Sequence, residues 1–343
     1  GYPREGATLS GSDPRGEIRC RTEGVSMSAG SVETRPVPTM EFIGVTTGSS
    51  SIVKVFPGWA QVLDLGEARL KGRDLPLGAE TDLYRQAVEQ IRSDPLSMGA
   101  LVTTHKINLL AAARDLFDEL DPYARLCEEV SCISKRDGRV IAHAKDPITA
   151  GRSLRTLLGP GYFRRTGGEV LCLGAGGTGT AISVYLVEGQ TPADPPSRIV
   201  MVDKSHESLD ALRRVHGRLG TSSTEIEYVE NADPAQNDEL LDALPPGSLI
   251  VNASGMGKDI PGSPVTDSAR FPERGVVWEL NYRGELDFLR QARRQERTRD
   301  LRVEDGWLYF LHGWSEVIAE VFHVELTPER FELLSTEAEA IRS

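Results

Sequence analysis

The residues of this chain whose types and spacing bear most directly on chemistry are Gly174-Ala175-Gly176-Gly177-Thr178-Gly179, a GxGxxG run directly after the apolar Val170-Leu171-Cys172-Leu173. A strand that enters such a turn and leaves it as a helix points unpaired backbone N–H groups and a positive helix end at an anion. Its glycines let the backbone come close to a pyrophosphate. The implied chemistry is the binding of a dinucleotide. The next strand-like run, Arg198 to Val202, ends on Asp203, where a carboxylate would take the ribose hydroxyls. A carboxylate about 4 Å from a 2′-phosphate costs on the order of 4 kcal/mol per unit charge at an effective dielectric of 20. Asp203 therefore favours NAD over NADP, and the adjoining Lys204 leaves some use of NADP open. Gly174 and Asp203 stand further apart than the usual separation of about 20 residues, which Gly189 to Ser197, rich in Pro, explains as an inserted loop. A plain glycine-rich connection with a surface aspartate is the competing reading. Strand, turn, helix, strand and acid in that order weigh against it.

The elements that must position these residues read as α/β from Glu41 onward. Strand-like Phe42 to Val45 leads through a polar turn, Thr46 to Ser51, into a helix across Trp59 and Leu63. A strand near Ala68 to Leu70, a helix over Glu80 to Ile91 and a strand over Ala100 to Thr103 come next. Helical runs follow at Asn108 to Phe117 and Pro122 to Glu129, then two strands joined across Asp137-Gly138. Asp146-Pro147 begins a helix reaching Leu157, with aspartate at the N-cap and proline in the first turn. Beyond the glycine-rich turn, strands at Ile226 to Val229, Leu249 to Val251 and Val276 to Glu279 continue the alternation, and helices over Trp307 to Phe322 and from Pro328 close the chain. Such alternation predicts mostly parallel sheets covered on both faces.

The 343 residues suffice for two cores, and 39% hydrophobic with 26% charged residues describes an ordinary globular protein. A net charge of −12 argues against a nucleic-acid surface. Cys20, Cys127, Cys132 and Cys172 show no zinc-type spacing, so neither a metal site nor a disulfide framework is expected. No apolar run approaches the 18 or so residues of a membrane span, and no signal-peptide pattern is evident, so a cytoplasmic location is expected, with no membrane partner. Residues 1–39, rich in Gly, Ser, Thr, Pro and Arg without apolar periodicity, read as a disordered or loosely attached extension.

The order of motifs over residues 41 to 325 resembles the shikimate/quinate dehydrogenase family. Gly99-Ala100-Leu101-Val102-Thr103-Thr104-His105-Lys106 is similar to the family's G-x-N-V-T-x-P-x-K, shortened by one residue. Asp137 to Asp146 is similar to D-G-x-L-x-G-x-N-T-D, and Val130-Ser131-Cys132 stands where the family has V-N-T. Val251 to Gly257 resembles I-N-A-T-x-x-G-M, and Glu279-Leu280-Asn281-Tyr282 resembles D-x-x-Y. The resemblance implies an open α/β substrate domain over residues 40–147 and a Rossmann NAD-binding domain over 148–306, with a cleft between them. Helices at about 307–343 would pack back on the first domain. It implies Lys106 and Asp146 as the catalytic pair, and Asn252, Ala253, Ser254 and Met256 as a loop over the nicotinamide. Ser49, Ser50, Ser51, Thr103, Ser131, Tyr282 and His312 would contact substrate.

Hydride loss from a secondary alcohol needs a base for the hydroxyl proton, and the reverse step needs an acid. Lysine, with a free pKa near 10.4, is a poor base at neutral pH; burial lowers that value and a nearby Asp146 raises it, so the two titrate as a pair. The chain departs from the family where substrate would bind: Leu101 and Ala144 replace asparagines, and the late glutamine becomes His312 or, without a gap, Gly313. The expectation is an NAD-dependent dehydrogenase acting on a cyclic hydroxy acid or related small molecule, as monomer or homodimer. Shikimate or quinate dehydrogenase itself, and a non-catalytic NAD-binding sensor, are the alternatives.

Overall fold

The computed structural model describes residues 34–190, 193–258 and 260–342. Cys20 and most of the expected extension lie outside them. Residues 34–39, grouped with that extension by composition, instead belong to the fold. Arg35 is buried, its guanidinium pairs with the fully buried Glu41 at 2.6 Å, and its backbone N–H donates to Asp94 at 2.7 Å. Composition missed this because one buried ion pair leaves no periodic signal.

The first sheet contains β1 (Thr39–Gly44), β2 (Arg69–Asp74), β3 (Ser97–Val102), β4 (Glu119–Leu120), β5 (Cys132–Arg136) and β6 (Arg139–His143), in the order β2-β1-β3-β5-β6-β4. β1 runs parallel to β2 and β3, whereas β5 runs antiparallel to both β3 and β6. Asp137 and Gly138, at φ 52° and 75°, form the expected tight hairpin between β5 and β6. β2 extends four residues past its expected end because it is a mostly exposed, charged edge strand, Arg-Leu-Lys-Gly-Arg-Asp, without apolar alternation. The accompanying helices are α1 (Ile52–Val62), α2 (Thr81–Ser93), α3 (Lys106–Ala113), α4 (Pro122–Cys127) and α5 (Asp146–Leu158).

The second sheet contains β7 (Val170–Leu173), β8 (Arg198–Asp203), β9 (Glu225–Glu230), β10 (Leu249–Asn252), β11 (Val276–Glu279) and β12 (Arg302–Glu304). Its order is β12-β11-β10-β7-β8-β9 and every pairing is parallel. Counted from β7 this is the 3-2-1-4-5-6 order of a doubly wound dinucleotide fold. Helices α6 (Tyr162–Thr166), α7 (Gly177–Val184), α8 (His206–His216), α9 (Pro234–Asp242) and α10 (Asp287–Gln295) complete this half. α7 runs on as a wider turn over Tyr185–Gly189. Where the loop was expected, Asp194 is buried and accepts from the backbone N–H groups of Phe163 and Arg164 at the start of α6.

The last helices, α11 (Trp307–Phe322) and α12 (Pro328–Arg342), lie on the first sheet's side. Their Trp314, Val317, Ile318, Val321, Leu334 and Ala338 share one core with Met40, Phe42, Ile52, Phe56 and Trp59. The Trp59 indole donates to the Leu334 carbonyl at 2.8 Å, fixing α12 on α1. Cys127, Cys132 and Cys172 are buried free thiols. No helix among the described residues is long and apolar enough to cross a membrane.

Candidate active site

Parallel sheets open at the carboxyl ends of their strands, and in the second sheet the order reverses between β7 and β10, where ligands of such folds bind. The glycine-rich turn leaves β7 at that point. Gly174 adopts φ 117°, and a Cβ there would stand 2.4 Å from the Ala253 carbonyl oxygen after β10. Gly179 lets α7 lie on the turn, since its Cβ would meet the Gly174 oxygen at 2.1 Å. Gly176 differs: its φ of −74° is ordinary, and a Cβ would meet nothing within 4 Å. The fold does not require a glycine at 176.

Asp203, at the end of β8, accepts from the Ala175 N–H at 2.8 Å with one oxygen and from the Ser205 N–H at 2.8 Å with the other. It thus braces the glycine-rich turn, which sequence spacing did not reveal. Gly174, Asp203, Lys204, Ser254 and Met256 line one cavity of about 230 Å³ with Asn231, Asn237 and Ile260. Asn252 orders the adjoining loop: its Nδ2 donates to Glu279 at 2.7 Å and to the Met256 carbonyl at 3.2 Å, and its oxygen accepts from the Ser254 hydroxyl at 2.6 Å. Asn252 and Glu279 stand side by side in the β10–β11 register, so the contact follows from strand pairing. Burial pushes the Glu279 carboxyl up to about 7, against the bonds from Asn281 and Asn252 that hold it down.

The larger cavity, about 730 Å³, lies between the two sheets' open ends. Lys106 enters it as the first residue of α3 and Asp146 as the first residue of α5, and their side chains form an ion pair. The expected N-cap role of Asp146 is corrected: Lys145 occupies that position without a side-chain cap bond, because the Asp146 carboxylate turns to Lys106. Burial opposes the charge on Lys106, yet the carboxylates of Asp146 and Glu129 outweigh it and hold the ammonium above the ordinary lysine range. The neighbouring His105 is buried, its ring bonded to the Tyr84 hydroxyl at 3.0 Å and the Leu75 carbonyl at 3.1 Å, which anchors the start of α3.

Ser50, Thr103, Ser131 and Tyr282 line this cavity. The Ser131 hydroxyl accepts from the Lys145 N–H at 2.7 Å. Ser49 stands at its margin, where its carbonyl accepts from the Arg283 guanidinium at 2.7 Å, and Ser51 immediately precedes α1 without lining the cavity. His312 is a second correction. Its ring stacks on Phe331 at 4.2 Å, turned away from the cavity, and burial drives its pKa down to about 4. α11 presents Gly313 to the cavity instead, beside Phe310, Trp314 and Val317. Leu101 also lines the wall, whereas Ala144 is fully buried in the first core. Tyr282 packs against Phe310 and Trp307, with ring centroids 4.9 and 5.4 Å apart.

Three groups at the site escaped the sequence reading. Arg283 follows Tyr282 and faces the cavity. Tyr309, half-buried as a residue, adds a phenol with a buried hydroxyl, whose pKa burial and the Asp146 and Glu129 carboxylates raise far above its ordinary value. Glu129 is buried beside Lys106. Only its position next to the Val130-Ser131-Cys132 motif pointed to it.

No family model matches the chain. A shikimate dehydrogenase (NADP(+)) of Streptococcus gordonii is 28% identical over 223 residues, 64% of this chain and 72% of that protein. One of Lactococcus lactis is 28% identical over 179 residues, so the chain spans 59% of that relative's length. Among solved structures, a shikimate 5-dehydrogenase of Thermus thermophilus in complex with NADP(H) and shikimate aligns over 88% of this chain and 99% of its own, with a TM-score of 0.63 at 20% identity. A 5-ketofructose reductase of a Gluconobacter strain aligns over 89% and 99%, with a TM-score of 0.66 at 19% identity. In sequence the chain is similar to shikimate dehydrogenases, and it shares the fold of their solved structures.

Proposed function

We propose that this chain is an NAD(P)-dependent dehydrogenase acting on a CH–OH group, and more closely that it moves a hydride between NAD and a secondary hydroxyl or ketone of a cyclic hydroxy acid. The observation that carries the reading is the Lys106–Asp146 ion pair, both residues lining the cavity between the two sheets' open ends. Lys106 gives or takes the proton at the substrate oxygen, and Asp146 orients and holds its ammonium. The dinucleotide supplies the hydride acceptor. Gly174 to Gly179 would hold its pyrophosphate, Asp203 its adenosine ribose, and the loop over Asn252 to Met256 its nicotinamide end. The open space at Gly176 fits a phosphate that must approach the backbone.

NAD is preferred here over NADP because Asp203 stands where a 2′-phosphate would lie, although the curated relatives bear NADP(+) in their names. The cavity wall favours a substrate that differs from shikimate on at least one side. Leu101 offers no hydrogen bond, and Phe42, Phe310, Trp314 and Val317 make that wall apolar. A hydroxyl buried there without a partner loses about 1 to 3 kcal/mol. Ser50, Thr103, Ser131 and Tyr282 supply the polar side.

The test is NADH and NADPH absorbance against shikimate, quinate, amino-shikimate, simple cyclitols and their ketones. Lys106→Ala should lower turnover at least about 100-fold while the chain still binds dinucleotide. Retained turnover in that variant removes Lys106 from the mechanism. Shikimate itself is the second reading, favoured by the curated relatives, and ordinary shikimate turnover would establish it.

A further inference from the structure

Glu129 is a carboxylate that neither the fold nor the proposed acid-base pair explains. It is 2% exposed, and its Oε1 is buried without a hydrogen-bond partner. Its backbone is tied to the reacting end of α3, since the N–H of the next residue, Val130, donates to the Lys106 carbonyl at 3.1 Å. On the other side it reaches the glycine-rich turn. A Cβ at Gly177, the first residue of α7, would stand 3.0 Å from Glu129 Oε2. Glu129 therefore fills the space between Lys106 and the helix N-terminus that would receive a pyrophosphate. An unpaired buried carboxylate is expensive unless it has a use.

The groups facing it are Lys106 from α3, Asp146 from α5, Tyr309 from α11, Cys127 from the end of α4 and the first turn of α7. Burial brings the Glu129 carboxyl up to about 7, with Lys106 pulling it down and Asp146 pushing it further up. The others titrate elsewhere. Lys106 is held above the lysine range, Tyr309 is far above the phenol range, and burial pushes Cys127 up to about 12.

We propose that Glu129 is a positioning residue that couples occupation of the glycine-rich turn to the charge on Lys106. A dinucleotide pyrophosphate at the start of α7 places negative charge beside Glu129, and the carboxylate takes one proton from solvent. Lys106 then keeps only Asp146 as an anionic neighbour and gives up its own proton more readily. Cofactor binding thereby readies the lysine for the substrate hydroxyl. This rests on the assignments of the turn and of Lys106 made above.

Linkage supplies a test that needs no substrate. If binding raises the Glu129 pKa, protons are taken up and affinity falls as pH rises between its free and bound values, by at most about tenfold per pH unit for one proton. NADH is the probe, because its pyrophosphate does not titrate in this range. Fluorescence titrations of the full chain from about pH 6 to 9 should show that fall, and Glu129→Gln should flatten it while Glu129→Asp restores part of it. Calorimetry on the unmodified chain in buffers of different ionisation enthalpy should show uptake of a fraction of a proton near neutrality. An unchanged slope in Glu129→Gln, or no uptake by the unmodified chain, overturns the coupling and leaves the cofactor assignment standing. Failure of the unmodified chain to bind NADH at any pH overturns that assignment and this inference together.

Discussion

Lys106 carries two anionic neighbours, and the direction of its shift has a consequence for the proposed reaction. An ammonium held above the ordinary lysine range is populated as the acid at neutral pH, with little of the free-base form present to take a proton. Ketone reduction should therefore proceed well near pH 7, whereas kcat/KM for alcohol oxidation should climb with pH as Lys106 loses its proton; initial rates in both directions check this. An oxidation rate flat from neutral to alkaline pH would remove Lys106 as the base. Asp203 is the other residue with a sharp expectation. Asp203→Asn removes charge from the ribose pocket but keeps one acceptor for the Ala175 or Ser205 N–H. The ratio of NADPH to NADH affinity should rise by about tenfold or more, a modest share of the Coulomb cost at that distance. Fluorescence titration with both dinucleotides reads it.

At the scale of elements, the β7–turn–α7 unit holds one glycine that packing requires and one that it does not. Gly179→Ala would drive a Cβ to 2.1 Å from a backbone oxygen, an overlap that no side-chain rotation relieves. Its thermal midpoint should fall by about 5 °C or more. Gly176→Ala meets no protein atom, so its midpoint should stay within about 2 °C while NADH affinity drops about tenfold or more, since the methyl occupies the phosphate's approach. Calorimetry and fluorescence on the two variants give the contrast, and an unaltered affinity in Gly176→Ala would move the phosphate elsewhere. The turn, β7, β8 and the β5–β6 hairpin were legible because each has a strong local signature: glycine spacing, an apolar run, or Asp-Gly between strands. β4 and β12 were not, having two and three residues. The Asp146 cap was misread because the pattern Asp-Pro at a helix start is shared by a cap and by a carboxylate aimed at a distant lysine.

At the scale of the molecule, the two sheets, the closing helices and the cavity between them form one system, and its stability should depend on pH through buried acids. The folded state raises the Glu279 carboxyl from an ordinary 4.5 to about 7. Between those values the folded chain binds more protons than the unfolded one, so this contribution is fully present below 4.5 and is lost as pH rises through 7. The loss is on the order of a few kcal/mol. Urea midpoints should therefore decline from about pH 5 to pH 8, and the decline should be shallower in Glu279→Gln. An equal decline in both would assign the dependence to other groups.

The amino-acid sequence by itself determined the α/β class, the glycine-rich strand–turn–helix and the candidate pair Lys106 and Asp146, because these are written as local spacing along single elements or as motif order. The tertiary structure decided what depends on packing between elements far apart in the chain. It turned His312 onto Phe331 rather than into the cavity, buried Arg35 against Glu41, joined Lys106 to Asp146 across two helix starts, and brought Glu129 between Lys106 and the first turn of α7. Burial and partnership at those residues come from which faces meet, and no periodicity along one strand or helix encodes that meeting.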